Sequence, residues 1–186
     1  MEIAGRLKTE TAAAHDRLDT GLDLLAGGDR YAAALSRFWG FYAGAEPQLD
    51  RWHARAPLVD WPERRKLPAL RSDLLALGLT PAAIDALPVR SFEDDPPDAG
   101  AGFGWLYVLE GATLGGAVIA RHLRKARTVP AAALSFHTLY GRRLGSRWRA
   151  FHAALAAWAG DDRARGDAVV AGALATFAAF EEWCLP

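Results

Sequence analysis

The sequence predicts an all-α fold in a single domain spanning residues 1–186, and three observations predict it. Apolar residues recur at i, i+3/i+4 and i+7 along nearly the whole chain, while period-two alternation is almost absent. Glycine and proline cut the chain into pieces of helical length, at Gly27-Gly28, Pro57, Pro62, Gly78 and Pro130. No Ser/Gly-rich linker divides it, and at this length one domain buries roughly 70% of its unfolded surface.

Each element follows in order. The first helix is expected over residues 3–19, with Leu7, Thr11, Ala14, Leu18 and Leu22 along one face. Gly27-Gly28 breaks the chain, and Asp29 is expected to cap a long aromatic helix that Pro47 bends. A basic helix over 63–77 is ended by Gly78, and Thr80-Pro81 opens a short helix to Leu87. Residues 88–98 form an acidic connection containing Glu93, Asp94, Asp95 and Asp98. A long apolar helix is expected over 101–127, a loop around Pro130 as far as Leu139, and two helices near 142–158 and 162–183.

Bulk properties exclude several function classes. With 22 basic and 22 acidic residues the net charge is zero, which argues against a nucleic-acid binder. Eight basic residues and no acid lie between Arg121 and Arg149, either as a solvated face or as a local anion-binding side. Cys184 is the one cysteine, so no disulfide forms within the chain. The first residues lack the apolar core of a signal peptide, and a cytoplasmic protein is expected. Residues 99–120 have the length of a membrane span. The carboxylate of Glu110 and six glycines within that stretch point instead to a buried central helix and no membrane partner.

That helix poses the main question. Gly111, Gly115 and Gly116 sit in its interior, where each glycine costs about 1 kcal/mol relative to alanine. Gly111 and Gly115 are four apart and face one direction. Their backbone must come close to something, either a flat ligand or another helix.

Among five histidines, His15 has the most telling neighbours. Lys8 lies one heptad before it on the same stripe, and Asp19 follows at i+4. A carboxylate on Nδ1 fixes the tautomer and leaves Nε2 free as a neutral metal ligand. HExxH, CxxC and GxSxG patterns are all missing. Gly100-Ala-Gly102-Phe-Gly104 lacks the strand and spacing of a dinucleotide loop, so no bound flavin or nicotinamide is expected. One metal held by one imidazole, as in heme, is the pattern left.

The stretch from Leu7 to His15 and the stretch Leu109-Glu-Gly-Ala-Thr-Leu-Gly-Gly116 resemble the two motifs of the heme oxygenases. Residues 66–78 and 177–183 match in type and order, and the likeness is strongest to the small bacterial branch found with bacterial phytochromes. The resemblance implies heme as substrate and cofactor, held by His15 as iron ligand, with Thr11 and Asp19 in the same proximal segment. Gly111, Ala112, Thr113, Gly115 and Gly116 would flank the reacting face, and Lys8 and Arg149 would contact the propionates. Arg142, Arg143 and Arg147 are neighbours able to replace Arg149. The reaction it implies uses O2 and electrons from a ferredoxin or flavoprotein reductase, and yields biliverdin, CO and ferrous iron. A bacterial phytochrome would be a receiver of the biliverdin.

One departure stands out. Better-known members carry a carboxylate directly after the first distal glycine, where this chain has Ala112. Thr113 and backbone carbonyls are then left to organise water. The loss favours a rival reading, a heme-binding or trafficking protein without ring opening. A thiamin-degrading relative on the same helical fold would need a nucleophilic cysteine in its pocket, and Cys184 is placed at the far end of the chain.

Overall fold

Every regular element among the described residues is helical. The computed structural model describes residues 2–55 and 57–185; Met1 and Pro186, the two ends of the expected domain, lie outside the described residues, as does Ala56. Eight α-helices follow in order: α1 (Ile3–Glu10), α2 (Ala12–Leu22), α3 (Gly28–Arg55), α4 (Leu67–Ala76), α5 (Pro81–Asp85), α6 (Ala99–Ala126), α7 (Leu144–Ala159) and α8 (Arg163–Cys184). Short 3₁₀ turns cover Leu24–Ala26, Trp61–Arg64, Ala131–Ala133 and Gly141–Arg143.

The first helix is two helices. Thr11 adopts φ −101° and ψ 0°, and its hydroxyl donates to the Leu7 carbonyl at 2.7 Å, competing with the helical ladder at the break. The second half runs on to Leu22 and stops at Asp23, which takes a left-handed conformation. Asp29 does not cap α3. The helix begins one residue earlier, and Asp29 sits in its first turn, where its charge still complements the helix dipole. Helix α3 is continuous through Pro47.

The expected basic helix is also divided, into the 3₁₀ turn Trp61–Arg64 and α4. The backbone N–H groups of Lys66 and Leu67 donate to the buried carboxylate of Glu46 on α3, at 2.5 and 3.1 Å. Pro68 suits the turn that follows, because it has no N–H to lose. The far end of α4 is as read. Gly78 takes φ +96°, its N–H reaches the Leu75 carbonyl, and Leu79 N–H reaches that of Leu74, the paired bonds of a Schellman ending. Thr80 caps α5 by accepting from Ala83 N–H at 3.1 Å. Helix α6 begins two residues before its expected start, at Ala99, because Asp98 accepts from Ala101 N–H at 2.8 Å.

Helices α6 and α8 pack along their lengths, and glycine permits it. A Cβ added to Gly172 would lie 2.7 Å from Ala101 Cα, and one on Gly104 would lie 2.6 Å from the Val169 carbonyl oxygen. Helix α3 crosses beneath with Tyr31, Leu35, Phe38, Phe41, Tyr42, Leu49 and Trp52 buried. Each such side chain contributes about 1.5–3 kcal/mol on burial. Ion pairs from Arg6 to Asp167 and from Arg17 to Glu181 tie α1 and α2 to α8. Helix α6 alone, among the described residues, is long and apolar enough to cross a membrane, and half of its apolar window is buried against other helices.

Candidate active site

Helices α2 and α6 face each other across a cleft of about 490 Å³, within the usual range for small-molecule sites. The α2 wall consists of His15, Leu18, Asp19 and Leu22, spaced i, i+3, i+4 and i+7 on one helical face. The α6 wall includes Val108, Gly111, Ala112, Gly115 and Ile119. Phe38, Tyr42 and Phe136 line the interior, and Phe177 and Phe180 of α8 close one side. A larger polar depression of about 830 Å³ lies between α1 and the turn joining α7 to α8. Its Arg6 is already paired with Glu10 and Asp167, and no imidazole is among its described lining residues, so the first cleft is the candidate site.

His15 stands at the mouth with its side chain 60% exposed. Its Nδ1 lies 3.3 Å from Asp19 Oδ2, which leaves Nε2 as the nitrogen available to a metal. The Phe177 ring meets the imidazole edge-on at 6.4 Å between centroids.

The opposite wall answers the glycine question. A Cβ added to Gly111 or to Gly115 would meet nothing within 4 Å. No neighbouring helix among the described residues needs these two glycines, so GxxxG packing does not explain them. They present bare backbone to the cleft. Gly116 differs, since its added Cβ would lie 3.0 Å from His137 Cα and Nδ1.

The remaining expected site residues are dispersed. Ala112 lines the cleft; Thr113 does not, being buried with its hydroxyl donating to the Glu110 carbonyl at 2.6 Å. Thr11 is buried at the α1–α2 break. Lys8 and Arg149 are exposed on α1 and α7, outside the cleft lining. Arg147 is occupied by Asp60 and Glu63, whereas Arg142 and Arg143 are exposed.

Two features escaped the sequence. The first is a buried ionic knot behind α6. Glu110 Oε2 accepts from Arg64 Nη1 at 2.6 Å, and Oε1 accepts from Lys66 Nζ and, at 2.8 Å, from the Tyr140 hydroxyl. Lys66 Nζ also donates to the Arg64 carbonyl and to Tyr140 at 2.8 and 2.7 Å. Arg64, Lys66 and Glu110 are at most 2% exposed. Burial pulls the Lys66 ammonium below its ordinary range against the opposing pull of Glu110, and pushes the neighbouring Glu46 carboxyl up to about 7. None of these side chains lines the cleft. The second is His137, which lines the cleft interior while only 3% exposed. Glu110 adjoins a motif glycine, but its partners come from distant segments, and His137 lies in a loop with no periodicity to mark it.

An all-α protein whose apolar cleft sets one exposed imidazole against bare helical backbone is the class that the fold and the cleft define. A flat apolar ring bearing a ligatable metal fits those walls. Comparison with known proteins gives the same answer. The family model described as heme oxygenase matches residues 1–185. A heme oxygenase of Xanthomonas campestris pv. campestris (strain 8004) is 41% identical over 152 residues, covering 82% of this chain and 87% of that protein. The fold resembles the NO- and CO-bound heme oxygenase of Neisseria meningitidis, with TM-score 0.77 and 22% identity over 99% of this chain and 90% of that one. It resembles the heme oxygenase of Leptospira interrogans equally, with TM-score 0.77 and 16% identity over 99% and 98% of the two chains. The chain belongs to the heme oxygenase family and is a heme-degrading oxidoreductase.

Proposed function

We propose that heme lies between α2 and α6, ligated through His15 Nε2, and is opened there to biliverdin, CO and ferrous iron. The observation that carries this reading is the pairing of an exposed imidazole with two glycines that no neighbour among the described residues requires. Heme supplies the redox chemistry, and the protein supplies ligation, orientation and a shaped, wet cleft. Asp19 holds the His15 tautomer from Nδ1. The bare backbone at Gly111 and Gly115 would let α6 approach the ring closely, and that close approach would favour reaction at one edge carbon. Lys8 and Arg149, both exposed, are assigned to the propionates by the family resemblance alone, since neither lines the cleft.

Electrons come from an external donor, a ferredoxin or a flavoprotein reductase. Arg121, Arg124, Lys125, Arg142 and Arg143 are all exposed, and an acidic donor would dock on these cations. The likeness to the phytochrome-associated branch supports a bacterial phytochrome as receiver of the biliverdin.

The test is direct. His15→Ala is expected to abolish the imidazole-type heme spectrum, and added imidazole to restore it. An unchanged spectrum would assign the iron to another histidine. Chromatography of the product after reductant and air are supplied separates ring opening, which yields biliverdin, from binding alone, which leaves heme intact.

A further inference from the structure

We infer that His137 is the hydrogen-bonding residue of the cleft interior, the group that orients a small polar ligand, water or a diatomic gas, beside the substrate under α6. This rests on the cleft being the heme site. Both ring nitrogens of His137 are buried and have no hydrogen-bond partner among the described residues. The other polar groups nearby are committed elsewhere: the Tyr31 hydroxyl donates to the Ala133 carbonyl at 2.8 Å, and that of Tyr42 to the Leu109 carbonyl at 3.1 Å. Buried donors and acceptors in native proteins nearly always find a partner, and a partner reached from the cleft is the one this geometry allows.

The placement of the ring is built. Gly116 leaves the space into which the imidazole tucks against α6, as its added Cβ would approach Nδ1 to 3.0 Å. The preceding residues are pinned by Asp73, whose carboxylate accepts from Ser135 N–H at 2.7 Å and from Phe136 N–H at 2.8 Å. Thr138 closes the other side, its hydroxyl donating to the Leu134 carbonyl at 2.8 Å. Phe136 and Tyr31 flank the ring at 5.1 and 5.7 Å between centroids. Burial also lowers the His137 pKa to about 4, so the ring is neutral near pH 7. A neutral imidazole donates from one nitrogen and accepts at the other, and so is able to bridge a water to a second group.

The experiment uses the heme-loaded protein with carbon monoxide as the probe. His137→Leu is expected to bind heme with the His15-type spectrum intact while the C–O stretch of the ferrous carbonyl moves to higher frequency, because a donor to the bound gas has been removed. His137→Gln, which keeps an N–H near the position of Nε2, should return the stretch part of the way toward wild type. An unmoved stretch in His137→Leu overturns the proposal. So does loss of iron ligation in that variant with ligation retained in His15→Ala, which would make His137 the ligand. Should His137→Leu not fold, the imidazole ¹⁵N resonances of wild type decide: movement on adding CO supports the assignment, and no movement defeats it. Failure of wild type to bind heme at all shows instead as a flat titration, and the assignment falls with the site.

Discussion

Glycine does two different jobs on α6, and substitution separates them. Gly104 is pressed against α8 backbone, and Gly104→Ala forces a methyl group to within 2.6 Å of the Val169 carbonyl oxygen. Overpacking of that kind costs about 1–3 kcal/mol, measurable as a lower denaturation midpoint. Gly115 has open space where a side chain would go, and alanine there recovers up to about 1 kcal/mol of helix propensity. Gly115→Leu is expected to fold as well as wild type but to lose at least about tenfold in heme affinity, or about 1.4 kcal/mol, and most ring opening. Wild-type affinity and biliverdin yield in that variant would show that the glycine face is not the heme face. The sequence revealed that these glycines were costly but not which neighbour each one served. Thr113 shows the same limit at a single residue. It lies between the motif glycines along the chain, yet two helical steps, about 200°, turn it away from Gly111, and its hydroxyl is satisfied by Glu110.

At the scale of elements, the cleft depends on the rotation of α6 about its own axis, and the knot around Glu110 fixes it. Glu110 and Gly111 are one helical step of about 100° apart, so anchoring the carboxylate to Arg64, Lys66 and Tyr140 restrains the rotation that would carry Gly111 off the cleft. Glu110→Ala strands the buried Lys66 charge, leaves Arg64 with Asp60 as its remaining carboxylate partner, and is expected to cost about 3–5 kcal/mol, read by chemical denaturation. A loss under about 1 kcal/mol would mean that water reaches the knot. Local chemistry made several boundaries legible in the sequence, including the Gly78 ending of α4 and the Thr80-Pro81 start of α5. Boundaries set from afar were not legible. The start of α4 answers to Glu46, twenty residues earlier, and the break at Thr11 follows from a side-chain bond that helical periodicity does not reveal.

Across the whole molecule, the all-α class was readable because the 3.6-residue pattern is a property of the entire chain. The facing of α2 and α6 came only through family resemblance, since no local signal places residue 15 opposite residue 111. A property of the same scale is stability against pH. The Glu46 carboxyl sits at about 7 in the folded chain against an ordinary 4.5, so the folded state holds the proton more tightly than the unfolded one. Its contribution is therefore complete below about pH 4.5 and is lost as pH rises through 7. Glu46→Gln keeps an oxygen for the Lys66 and Leu67 N–H groups and should remove this slope, seen as the difference between melting curves of variant and wild type from pH 4.5 to 8. A parallel pair of curves would refute the shift. The two kinds of glycine on α6 have a last consequence, for how damage to this protein would be noticed. In a saturation library sorted by cellular abundance, changes at Gly104 and Gly172 would be purged, while inactivating changes at Gly111 and Gly115 would pass as healthy. Only a sort on pigment colour would find them.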